Sequence, residues 1–188
     1  MDNYFNFKLS NNGTLSKLCL DHNLITFEDV CHFITHLPYG RNTNRSDYIS
    51  IIKEHKGTCS TKHAFLKQLG IEQHLDALNL CIGIYKMNLN NTPGVATVLS
   101  DNNLSYIPEA HTYLKYKDTI IDVTTVKRTL TFYDSLLYET IIQPHQIGVY
   151  KLQLHKQFLK SWIEEDDVPY NFETLWNIRE ACILALSK

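Results

Sequence analysis

Long apolar runs are missing from the 188 residues. The most hydrophobic stretch, Leu78-Asn79-Leu80-Cys81-Ile82-Gly83-Ile84-Tyr85, is far short of the roughly 20 residues a membrane span needs, so no membrane partner is expected. An excess of one charge is missing too. Eighteen Lys and Arg stand against twenty Asp and Glu, for a net charge of -2. That argues against a general nucleic-acid or polybasic membrane binder. Cysteines are few: Cys19, Cys31, Cys59, Cys81 and Cys182 form neither a CxxC pair nor an even framework, which points to a reducing, cytoplasmic setting. Met1 to Lys8 shows no charged segment leading into an apolar run, so no secretory signal is read. His32 and His36 beside Cys31, like Cys59 with His63, make half of a metal motif without its remaining ligands; no metal or cofactor is expected.

Internal repeats, low-complexity tracts and Pro/Gly/Ser linkers are absent as well, which favours one domain over residues 1–188. A domain of that size buries roughly 70% of its unfolded surface, enough for a core without disulfides or metal.

The elements follow from caps and periodicity. The first two dozen residues resist assignment. Thr26 with Asp29 three residues on reads as the start of a helix through Val30, Phe33 and Ile34, ended by Pro38-Tyr39-Gly40. Ser46 is expected to cap a short helix carrying Tyr48, Ile51 and Ile52, closed by Gly57. Thr58 caps a helix that opens at Cys59 and is expected to stop at Gly70. Leu78–Met87 reads as a buried strand, Thr92-Pro93 as a helix start, and Ala110–Val126 as a hairpin turning at Lys117-Asp118. Tyr138–Ile142 suggests a further strand. Two amphipathic helices close the chain, one around Leu152, Phe158, Leu159 and Trp162, one capped by Asn171. Antiparallel strands with helices gathered apart from them make the fold α+β.

One constellation carries chemistry. A cysteine in the first turn of a helix meets unpaired backbone N–H groups and the positive end of the helix dipole, which favour thiolate over thiol. The same amides suit the oxyanion formed when a thiolate attacks an amide. If Lys117 and Asp118 form the hairpin loop, Tyr116 pairs with Thr119 and Tyr113 falls opposite Asp122. His111 then shares a face with Asp122 as its diagonal neighbour, a gap of roughly 7–8 Å that imidazole and carboxylate side chains close. Asp122 would fix the tautomer of His111, and His111 would serve Cys59 as base. His63, one helical turn after Cys59, is the rival base. Asn44 or Arg45, in the loop before the nucleophile helix, are candidates for an oxyanion donor or a substrate-carboxylate contact. Glu109 is expected to point to the opposite face from His111 and miss the site.

Gly57-x-Cys59 at a helix start, His111 on one strand and Asp122 with Thr124 on the next resemble the transglutaminase-like superfamily of papain-related folds. The resemblance covers about residues 40–125 and leaves 145–188 as a helical C-terminal extension. It implies a nucleophile helix packed on a small antiparallel sheet and a Cys59-His111-Asp122 triad. The implied activity is that of a thiol-dependent amide hydrolase or acyltransferase acting through a thioester, with a peptide, protein or small amide as substrate. Tyr113, where many members carry Trp, and the Ser60-Thr61-Lys62-His63 continuation imply a differently shaped substrate cleft. A non-catalytic module that keeps the fold as a binding groove is the alternative.

Overall fold

The computed structural model describes residues 7–126 and 130–186; the Met1–Asn6 part of the leader reading lies outside them. The protein is α+β. Helices α1 (Thr14–Asp21), α2 (Phe27–His36), α3 (Ser50–Glu54) and α4 (Cys59–Glu72) precede strand β1 (Leu78–Met87). Helix α5 (Ala96–Asp101), strands β2 (Ile107–Tyr116), β3 (Thr119–Ile121) and β4 (Leu136–Ile142), and helices α6 (Val149–Glu165) and α7 (Phe172–Ala185) follow. The four strands form one antiparallel sheet in the order β3-β2-β1-β4. The chain divides into two compact units. Of the described residues, the first holds 7–81, 112–126 and 141–148; the second holds 82–111, 130–140 and 149–186.

In the first unit everything is arranged around α4. Helices α1 and α2 and the 3₁₀ turn Pro144–Ile147 all pack on it. Its apolar residues Ala64, Phe65, Leu66 and Leu69 are completely buried. Lys62 is completely buried too and Lys67 is 9% exposed, and cations so placed require partners. Lys62 Nζ donates to the carbonyls of Leu37 and Thr124 at 2.6 and 2.8 Å, and Lys67 Nζ donates to that of Leu78 at 2.5 Å. The helix runs two residues past its expected stop. Gly70 is there for packing rather than termination: a Cβ on it would lie 2.9 Å from Leu78 Cδ2. The last residue, Glu72, accepts from the amides of Leu15 and Ser16 at 3.0 and 2.7 Å and so closes the open N-terminus of α1.

Helix α2 starts as read, with a reciprocal pair between Thr26 and Asp29. Helix α3 starts later than read, at Ser50. Ser46 donates its amide to Asn44 Oδ1 and Ile49 to Asp47 Oδ1, so local side-chain turns hold Tyr48 out of the helix. Its end is His55 in the left-handed region, φ 49°, and not Gly57. The hairpin register is as read, with Tyr116 opposite Thr119, Lys115 opposite Ile120 and Leu114 opposite Ile121. Lys117 supplies the left-handed loop position, φ 52°. The second strand ends at Ile121 and does not reach Val126.

The second unit is a helical layer with its own core: Val95, Leu99, Ile107, Leu159, Leu175, Ile178 and Cys182. Trp162 is 7% exposed; its indole N–H reaches both the Tyr106 hydroxyl and the Asp166 carboxylate at 2.8 Å. Asn171 caps α7 by accepting from the Thr174 amide. Glu109 of β2 holds Arg179 of α7 in a two-point ion pair at 2.5 and 2.7 Å. The guanidinium keeps the Glu109 carboxyl down at about 2 although burial alone would raise it.

Candidate active site

Cys59 is the first residue of α4, and the chain around it is built to keep that start fixed. Thr58 and Thr61 exchange amide-to-hydroxyl hydrogen bonds, 3.4 Å to Thr58 Oγ1 and 3.0 Å to Thr61 Oγ1. Thr61 Oγ1 also donates to Asn42 Oδ1 at 2.9 Å, and Asn42 Nδ2 donates to the Lys56 carbonyl at 3.0 Å. Gly57 pairs with the backbone around Tyr39, its amide on Pro38 O and its carbonyl on the Gly40 amide. A Cβ on Gly57 would meet Lys62 Cγ and Thr61 Oγ1 at 3.0 Å and Ile51 Cγ2 at 3.1 Å, so any larger residue would have to push these neighbours aside. Cys59 itself is 7% exposed. Its Sγ lies 4.0 Å from Ser60 Oγ, which in turn sits 3.3 Å from Thr112 Oγ1.

Asp122 follows β3 directly, and its carboxylate is 1% exposed. Oδ1 accepts from the Thr124 amide at 2.9 Å and from the Thr124 hydroxyl at 2.5 Å. This local turn is why the strand ends where it does: once Asp122 has captured Thr124, the amides beyond Ile121 no longer point along the ladder. The Val123 amide goes instead to His63 Nε2 at 2.8 Å. The other ring nitrogen of His63, Nδ1, bonds the Cys59 carbonyl at 2.7 Å. Asp122 Oδ1 lies 3.5 Å from His63 Nε2. Lys62 completes the attachment through the Thr124 carbonyl; burial drops its ammonium to about 8, with Asp122 and Cys59 opposing that fall.

Cys59, His63 and Asp122 are thus brought together in one unit. His63, the rival base of the sequence analysis, has a carboxylate nearby, but both of its ring nitrogens are committed to the main chain. A contact with substrate is equally closed to it, because its ring is fully buried. His111 belongs to the second unit, 4% exposed, with the rings of Phe132 and Tyr85 edge-on at 4.8 and 6.5 Å. Tyr113 is completely buried. Asn44 and Arg45 are exposed loop residues; in that loop the buried polar side chain is Asn42, which the sequence reading passed over. Its only signal was its place in a turn-rich loop before the helix.

Glu109 needs a correction. It is two residues from His111 on β2 and therefore shares its face; what occupies it is Arg179, not a change of side. The other cysteines are buried thiols. Burial raises Cys19 to about 12 and Cys182 to about 11, and raises Cys31 further. The His32 and His36 rings lie 4.1 Å apart, tilted by 36°, on the surface of α2. Among the described residues no group of three or more His, Cys, Asp or Glu side chains is placed to hold a metal ion. Nor, among them, is any helix long and apolar enough to cross a membrane.

Compared with known protein families, characterised proteins and solved structures, the chain matches none.

Proposed function

We propose that the protein is a thiol-dependent amide hydrolase or acyltransferase of transglutaminase-like type, with Cys59 as nucleophile, His111 as base and acid, and Asp122 as orienter. The observation that carries the reading is the pairing of a cysteine at the first position of a long helix with a buried aspartate tied to the same helix turn through the His63 ring. A cysteine serving only as core packing needs no buried carboxylate tied to its own helix turn. The hairpin register agrees with the sequence reading as far as Leu114 opposite Ile121.

In this mechanism His111 takes the Cys59 proton. The thiolate adds to the carbonyl carbon of the amide, and backbone amides at the start of α4 stabilise the oxyanion. The C–N bond breaks as His111 returns the proton to the departing amine, leaving a thioester on Cys59. Water, deprotonated by His111, then releases a carboxylic acid; an amine in its place forms a new amide. Either route restores the thiol. The substrate is a peptide, a protein side-chain amide or a small amide.

The test is the alkylation rate of each of the five cysteines against pH, resolved by peptide mass spectrometry. The raised thiols of Cys19, Cys31 and Cys182 are internal controls. Cys59 is expected to react fast at pH 6, well below the roughly 8.5 of an ordinary thiol, and Cys59→Ala to abolish turnover of amide substrates. His111→Ala is expected to slow Cys59 near neutral pH. A Cys59 that titrates no lower than an ordinary thiol overturns the reading in favour of a binding module.

A further inference from the structure

We propose that His63 is the positioning residue of this site: a neutral imidazole that fixes Asp122 to the first turn of the nucleophile helix. The inference rests on the enzyme reading above and deepens it. The ring is fully buried, with Nδ1 on the Cys59 carbonyl at 2.7 Å and Nε2 on the Val123 amide at 2.8 Å.

The second contact decides where the proton is. A backbone N–H can approach a nitrogen to 2.8 Å only if that nitrogen offers a lone pair; a proton on Nε2 would set two N–H groups head to head. Nε2 is therefore bare, Nδ1 carries the hydrogen donated to Cys59, and the ring is uncharged. Asp122 Oδ1, 3.5 Å away, faces this lone pair and not a donor. The two groups are neighbours because both are bound to the same stretch of backbone, not because they form an ion pair.

This makes His63 a rigid link. The carbonyl of the nucleophile, the imidazole and the amide after Asp122 form one chain of short hydrogen bonds through a planar ring, and Lys62 adds a second tie one residue on, at Thr124. A base needs a nitrogen open to the thiol, which this ring does not have. Mere space-filling needs only apolar volume. Positioning needs both nitrogens where they are, and small displacements of a catalytic group cost on the order of 10²-fold in rate.

The experiment uses the full chain with three substitutions: His63→Leu, which removes both ties; His63→Gln, whose amide oxygen can still accept from Val123; and His63→Asn, whose amide can still donate to Cys59. Cys59 alkylation by iodoacetamide is followed from pH 6 to 9, and the His63 tautomer of the unaltered protein is read by nitrogen-15 NMR. The expected tautomer is Nδ1–H. His63→Leu is expected to slow Cys59 at pH 6.5 by about tenfold and move its profile toward an ordinary thiol, with the other cysteines and the near-UV circular dichroism unchanged. His63→Gln is expected to recover most of the loss and His63→Asn less. An Nε2–H tautomer or an imidazolium overturns the proposal even if no variant folds. If Cys59 is fast in the unaltered protein and His63→Leu leaves its profile in place, the positioning role alone falls. If Cys59 of the unaltered protein titrates as an ordinary thiol, the enzyme reading falls and takes this role with it.

Discussion

Replacing Arg179 by Met should cost the second unit about 3 kcal/mol at pH 7, and the loss should vanish in acid. Glu109 is 7% exposed, and among the described residues its largest counter-charge is the guanidinium bonded at two points, ahead of His155 and Lys151. His155 stands 4.0 Å from its Oε2, but burial lowers the tendency of that ring to carry a proton. The carboxyl sits at about 2 against an ordinary value of 4.5, a gap that corresponds to roughly 3 kcal/mol. That agrees with the roughly 3–5 kcal/mol measured when a buried pair loses one partner. The sign follows from the lowered value. The contribution is complete above the unfolded carboxyl range and is lost as the pH falls from about 4.5 toward about 2. Met keeps the apolar stem of Arg without its charge, so Glu109 of the variant is driven upward by burial. Urea unfolding of both proteins at pH 7, 4.5 and 3, followed by the fluorescence of Trp162 and Trp176, gives the difference directly. The gap should be largest at pH 7 and shrink steadily with acid. A gap below 1 kcal/mol at pH 7, or one equal at pH 7 and pH 3, would refute the reasoning.

Two further outcomes are expected. Lys62 has its ammonium lowered to about 8 from 10.5, so the unfolded chain binds more protons between those values and stability should rise with pH across that window, by up to about 3 kcal/mol; Lys62→Met should lack the rise in denaturation curves taken from pH 7 to 10.5. Gly57→Ala should destabilise by about 1–3 kcal/mol, since the new methyl overlaps Lys62, Thr61 and Ile51, and its melting temperature in a thermal scan should fall by several degrees.

The pattern of what the sequence disclosed follows from where the information sits. Caps that act through their own neighbours were legible: Thr26 with Asp29, Thr58 with Thr61, Asn171 with Thr174. The hairpin register was legible because a two-residue loop leaves one pairing, and β1 was legible because apolar residues dominate it. Features set by distant partners were hidden. Helix α1 lacks a side-chain cap of its own and borrows Glu72. Gly70 looks like a helix stop, yet it answers to Leu78. Lys62 and Lys67 look like solvated charges, yet each is buried on backbone carbonyls. At the site, residue types and order were readable, while the role of His63 was not: its spacing put it one turn from Cys59 but could not tell that its outer nitrogen meets the Val123 amide.

The borrowed cap of α1 has a consequence for the order of events during synthesis. Leu15 waits for a partner that lies 57 residues further along the chain. At roughly 5–20 residues per second, that interval lasts about 3–11 s. A helix of eight residues is far below the length at which isolated helices hold in water. Until α4 has been made and folded, the α1 segment leaves the ribosome as unstructured chain. The long central helix, though it comes later in the sequence, is the template on which the earlier one is assembled.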